Sequence, residues 1–171
     1  MSNPVGWITV AETIAALKVL EPKQSVSVDQ LHYWDRVGVV PVKRAKQGRA
    51  PLYSTQDLAL CRVIARLLAA QGIPQHITAA LRYLRKPICD AFREKRSESK
   101  ARGESKALYL DVRGVGHVVD ASKVPSDVTC RVDLRDCWRG VSNEMRKQRQ
   151  RRRTEVWDGR RYLAVEELTA A

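Results

Sequence analysis

At 171 residues the chain has room for one domain or two small ones, and 44% hydrophobic residues suffice for a packed core, drawn mostly from Val, Ile, Leu and Ala because aromatics make up only 6%. Lys and Arg number 31 against 19 Asp and Glu, a formal charge of +12 that a fold does not need and that attracts polyanions, nucleic acid first and an anionic membrane surface second. The opening residues lack the pattern of a signal peptide, no uncharged apolar run is long enough for a membrane span, and Cys61, Cys89, Cys130 and Cys137 form no Cys-x-x-Cys pair, which together fit a cytoplasmic chain with small buried thiols.

Three helix starts stand out in the first half. Thr9 with Glu12, Ser27 with Gln30 and Ser54 with Asp57 each set a hydroxyl residue three positions before an acid or amide, with apolar residues at helical spacing behind them. The first predicted helix runs from residue 10 to about 20, turns Ile14 and Leu17 inward and is ended by Pro22. The second starts after Ser27, buries Val28 and Leu31 and stops near Gly38, well placed as a C-cap. Residues 39–53, which hold two prolines, a glycine and the cations Lys43, Arg44, Lys46 and Arg49, read as short extended segments around a basic hairpin tip near Gln47 and Gly48. A third helix follows Ser54 to about residue 70, with Leu60, Ile64, Leu67 and Leu68 inward. Gly72 breaks it, and Pro74 opens a fourth, running to about residue 86 and burying Ile77, Leu81 and Leu84.

From 87 to 106 the composition turns charged, which predicts a solvated helix, a linker, or one then the other. Strand-like alternation follows. Leu108, Leu110 and Val112, a turn over 113–116, and His117 to Val119 read as a hairpin, and Val128, Cys130 and Val132 as a third strand. Leu134, Cys137, Val141 and Met145 keep helical spacing, so a helix is expected over about 134–152, ending in the basic run 147–153. Trp157, Asp158 and Gly159 look like a turn between two short strands, the second over 162–165. The chain thus divides into residues 1–86, a charged linker or helix over 87–106, and a small α+β module over 107–171.

A protein that reads duplex DNA with a helix needs a short helix on a small trihelical core, polar side chains on its outer face, and flanking cations for phosphates. The second helix offers Asp29, Gln30, His32, Tyr33 and Arg36 away from Val28 and Leu31. Gln30 can pair with adenine, and His32 and Tyr33 can bond to a phosphate or a base edge. Residues 25–84 show, in order, Val26 and Ser27, Leu31, the run Tyr33, Trp34, Asp35, Arg36, then Gly38 to Pro41, Gly48 and Arg49, Tyr53 and Ser54, Asp57 and Leu58, and Gly72 and Ile73. In this ordered set the chain resembles the MerR family of bacterial regulators.

The resemblance implies a winged helix-turn-helix. In it Ser27 caps the recognition helix, and Gln30, His32 and Tyr33 face the major groove or its edge. Arg49 and the other wing cations, Lys43, Arg44 and Lys46, lie along the phosphates. Tyr53 looks like the wing-end tyrosine that packs beside or hydrogen-bonds to the backbone. The chain departs from the family at His32, where Arg is usual, which makes that contact weaker or titratable. About eight extra residues lie before Ser27 by family spacing, and Arg49, Ala50, Pro51 and Leu52 replace a commoner tyrosine-bearing run.

Beyond Arg85 the family's long dimerisation helix is not matched. The candidate helix, from residue 88 to about 101, is short and charged and lacks an apolar stripe, so dimerisation falls to the third strand and the helix after it. Some members of the family sense soft metals through cysteines, with one ligand near the place of Cys89. The ligand loop is missing here, so neither metal nor cofactor is expected. His117 has no nucleophile with a third partner and the carboxylates scatter among cations, so no enzyme activity is expected. The basic run 147–153 reads first as a solvated surface, and Trp34 as half-buried packing. The resulting reading is an α+β protein, a winged helix-turn-helix followed by a charged linker and a small β-hairpin, strand and helix module. It binds double-stranded DNA as a homodimer or in tandem, at the nucleoid and not at a membrane, as a sequence-specific regulator that represses by occlusion or acts as an atypical member of the family. The alternative is an architectural or antitoxin-like DNA-binding protein whose C-terminal module captures a partner protein.

Overall fold

Each of the first three helices begins on the hydroxyl that the sequence marks. Thr9, Ser27 and Ser54 hold extended backbone, and each side chain accepts from the N–H of Glu12, Gln30 or Asp57, whose own side chain accepts from the cap N–H in return. Asp57 closes a full box despite its short side chain, with Ser54 N–H donating to Oδ2 at 2.9 Å. Such a cap stabilises a helix by about 1 kcal/mol.

The computed structural model describes residues 7–44, 51–70, 81–93, 105–111, 115–128, 130–157 and 162–164. Strand β1 (Trp7–Ile8) leads into helices α1 (Val10–Leu20) and α2 (Val28–Arg36), then β2 (Lys43–Arg44), β3 (Pro51–Ser54) and α3 (Thr55–Ala69). A 3-10 turn (Leu81–Tyr83) precedes α4 (Arg85–Arg93). Strands β4 (Lys106–Leu110) and β5 (Gly116–Asp120), a second 3-10 turn (Ala121–Lys123), β6 (Cys130–Asp133), α5 (Leu134–Thr154), β7 (Glu155–Trp157) and β8 (Tyr162–Ala164) complete the order. The expected hairpin tip at Gln47 and Gly48, Gly72, Pro74 and Ile77, the linker over 94–104, Val112 and the start of its turn, and the turn at Asp158 and Gly159 lie outside the described residues.

All strand pairs are antiparallel. The first sheet has the order β1-β3-β2, with Ile8 opposite Tyr53 and Lys43 opposite Leu52. The second has the order β5-β4-β6, with Leu108 opposite both Val118 and Val132. Leu108, Leu110 and Val132 are buried, while Tyr109 and Arg131 alternate with them along the same strands. Strands β7 and β8 pair with Val156 opposite Leu163.

Burial departs from the sequence expectation at three places. Val28 is 44% exposed, and Val26, on the other side of the Ser27 cap, is buried instead. Val26 and Leu31 hold the two positions of a hydrophobic staple, so the incoming chain fills the space expected for Val28. Trp34 is fully buried rather than half-buried. The first part of the charged stretch is no solvated helix either: in α4, Ile88, Cys89, Ala91 and Phe92 are buried, and Phe92 stacks on Trp138 of α5 with ring centroids 5.3 Å apart.

Helix α3 is the centre of the molecule. It is buried almost all round, including Leu58, Ala59, Cys61, Val63 and Ala65 besides the expected Leu60, Ile64 and Leu67, while Leu68 is half-buried. One apolar cluster runs from Ile8 and Leu17 through α3 to Leu108, Leu134, Val141 and Met145. A polar clamp accompanies it. Glu21 Oε1, at the end of α1, accepts from Arg62 Nε at 2.6 Å and from Arg66 Nε at 2.7 Å. Arg66 also pairs with Asp136 of α5 at 2.6 Å, and Arg62 Nη1 donates to the Asp136 and Cys137 carbonyls at 2.9 and 3.2 Å. Gly140 permits this approach, because a methyl group there would fall on the Arg62 guanidinium.

Candidate nucleic-acid interface

The sequence around α2 builds an outer face and fixes its angle to the next strand. Leu31 and Trp34, three apart, point inward, which leaves His32 and Arg36, one turn apart, exposed. The Arg36 guanidinium lies 5.6 Å from the centroid of the half-buried Tyr33 ring, a cation–π contact that holds it along the helix. Ser27, Asp29, Gln30, Tyr33 and Arg36 line an open groove of about 530 Å³ that ends at Leu68 of α3.

After α2 the chain reverses tightly. Gly38 adopts φ +77°, in the left-handed region, and its N–H donates to the Asp35 carbonyl at 3.0 Å. Val39 and Val40 N–H groups both donate to the Trp34 carbonyl at 3.0 and 3.1 Å. The Asp35 carboxylate then accepts from Val42 N–H at 3.2 Å, one residue before β2. The aromatic-Asp-Arg step of the sequence therefore contains a positioning residue that the sequence alone did not reveal: Asp35 fastens the β2 ribbon to the helix before it.

The expected site residues separate into three groups. Ser27, Gln30, Tyr33 and Arg36 share the α2 groove, and His32 is exposed beside it. Lys43 and Arg44 form β2, antiparallel to β3, whereas Lys46 and Arg49 lie outside the described residues. Tyr53 is 0% exposed and sits between β1 and α3, so its ring belongs to the core and is withheld from a partner's surface; an aromatic in the middle strand of a three-stranded sheet is the first to be covered. Gln30 carries a second constraint. Its Oε1 accepts from Ser27 N–H at 2.9 Å, which leaves the Nε2 donors and one Oε1 lone pair for any partner and fixes the direction in which they point.

The thiols stand apart from this face. Cys61, Cys89 and Cys137 are buried and Cys130 is half-buried, all four unbridged. Burial pushes the Cys61 thiol well above its ordinary range and Cys137 up to about 12, the latter against the opposing pull of Arg66 and Arg62. Among the described residues no three His, Cys, Asp or Glu side chains gather as a metal site, and no helix is long and apolar enough to cross a membrane.

No curated protein matches the chain. Residues 18–84, from the last turns of α1 through the 3-10 turn after α3, match the family model of the MerR HTH family regulatory proteins. The chain therefore carries, in its N-terminal part, the helix-turn-helix of MerR-type DNA-binding transcription regulators.

Proposed function

We propose that this chain is a sequence-specific transcription regulator that binds duplex DNA through α2 and the β2–β3 ribbon. The observation that carries the reading is the exposed α2 face, with His32 and Arg36 outward and the Tyr33 groove beside them, next to a ribbon that begins with two cations. In this reading α2 enters the major groove, and Ser27, Gln30, His32, Tyr33 and Arg36 meet base edges or the adjacent backbone. The ribbon is the wing, and Lys43, Arg44, Lys46 and Arg49 neutralise phosphates along it. Residues 1–86 form the DNA-binding part, and the chain acts as a dimer or in tandem, repressing by occupying its site.

Selection of bound fragments from a genomic library gives the site and, from half-site spacing, the stoichiometry. On the selected duplex, Arg36→Ala combined with His32→Ala is expected to cost about 1–3 kcal/mol for each base that is no longer read, and to narrow the gap between selected and random DNA. Equal weakening on both duplexes would show that these two side chains do not read bases.

A further inference from the structure

A second cationic groove, of about 510 Å³, opens at the far end of α3 from α2. Thr55 and Gln56 form one side, Arg146 and Arg149 of α5 the other, and the stacked Phe92 and Trp138 rings close its base. Among the described residues no carboxylate lines it, and Glu144, two positions before Arg146, is buried. From 146 to 153 the sequence of α5 holds six Lys and Arg and no acid. Arg146, Lys147 and Arg149 are exposed, and among the described residues no ion pair engages them. The helix macrodipole rewards cations only in its last turn, which leaves those of the preceding turn without a partner of opposite sign.

The place of the groove names its partner. Thr55 follows directly on Ser54, the end of β3, and β3 pairs through Leu52 with Lys43. Thr55 lies three residues beyond Leu52, a step of about 10 Å at roughly 3.3 Å per residue. A DNA strand carries one charge per about 3.4 Å, so that step spans only a few phosphates. Arg146 and Arg149 thus line a groove that begins where the ribbon ends.

We propose that this groove is an additional phosphate-backbone site, through which Arg146 and Arg149 grip the same duplex beyond the ribbon while the half-buried Trp138 ring, backed by Phe92, supports the sugar edge. The proposal rests on the DNA-binding reading given above. Its test is anisotropy titration of the full chain with selected and random duplexes across a salt series. Arg146→Ala with Arg149→Ala is expected to lower the slope of log K against log salt by about 1.8, at about 0.9 per phosphate, equally on both duplexes, and to weaken binding more than ~10-fold near 0.1 M salt. The selected-to-random ratio stays unchanged, and Arg146→Lys with Arg149→Lys restores the slope. An unchanged slope in the alanine variant, while the unaltered chain binds, overturns the proposal and leaves the DNA-binding reading standing. So does a loss confined to the selected duplex, or one that lysine does not repair. Failure of the unaltered chain to bind any duplex overturns both.

Discussion

Gln30 illustrates how one side chain can be committed twice. Its position three residues after Ser27 predicts a capping partner, and its amide suits adenine, which needs both an acceptor and a donor. The cap takes one lone pair of Oε1 and leaves the other, so the amide can read adenine with both groups only in an orientation that the box allows. Gln30→Ala is therefore expected to lower stability by about 0.5–1 kcal/mol through the cap and to cost less than the ~1–3 kcal/mol of a full two-bond base contact. Thermal unfolding beside titration on the selected duplex separates the two; a loss of binding near the upper value would show that the capped amide still makes a full two-bond contact. Among the described residues Arg36 is held only by the Tyr33 ring and His32 has no hydrogen bond; their exposure was legible from the spacing of Leu31 and Trp34. The burial of Tyr53 was not, because the two-residue strand β1 that covers it is too short to leave an alternating pattern.

Secondary structure was readable where a signal is local. The three capping boxes, the glycine after α2, and the alternation of Leu108, Leu110, Cys130 and Val132 all act within a few residues of themselves, and the corresponding elements lie where those signals place them. What α3 and α4 bury depends on distant partners, which sequence spacing does not name. Gly140 marks the tightest of these approaches. On helix propensity alone Gly140→Ala would stabilise α5 by about 1 kcal/mol. Its methyl would displace the Arg62 guanidinium from Glu21 and the α5 carbonyls, and disrupting a buried charge pair costs about 3–5 kcal/mol. The expected result is a net loss of roughly 2–4 kcal/mol in urea unfolding, and a neutral or stabilising outcome would mean that Arg62 finds an equivalent berth.

Across the whole molecule, the sequence suggested a break at 87–106, where charge replaces apolar residues, yet the apolar cluster passes from α1 through α3 into β4, β6 and α5. The charge imbalance, by contrast, was readable from composition, because a net field needs no knowledge of packing. The shared core bears on pH. Cys137 lies in it with its pKa raised from 9.0 to about 12, so the thiolate is tolerated in the unfolded chain before the folded one. Stability that is complete below pH 9 is thus expected to fall as pH climbs from 9 toward 12. Denaturant titrations followed by tryptophan fluorescence and by far-ultraviolet dichroism should give coincident midpoints that drop over that interval, less steeply for Cys137→Ala. Separate midpoints for the two probes would contradict a common core.

The clamp of Glu21 between two arginines also sets how the reading head meets an imperfect site. The clamp fastens the end of α1 to α3 and, through Arg66, to α5, so the helix ahead of α2 is tied to the core at the point where the chain leaves for the reading helix. On the proposed function, accommodation then falls to the duplex, and the stiffness of base-pair steps that no side chain touches enters the affinity.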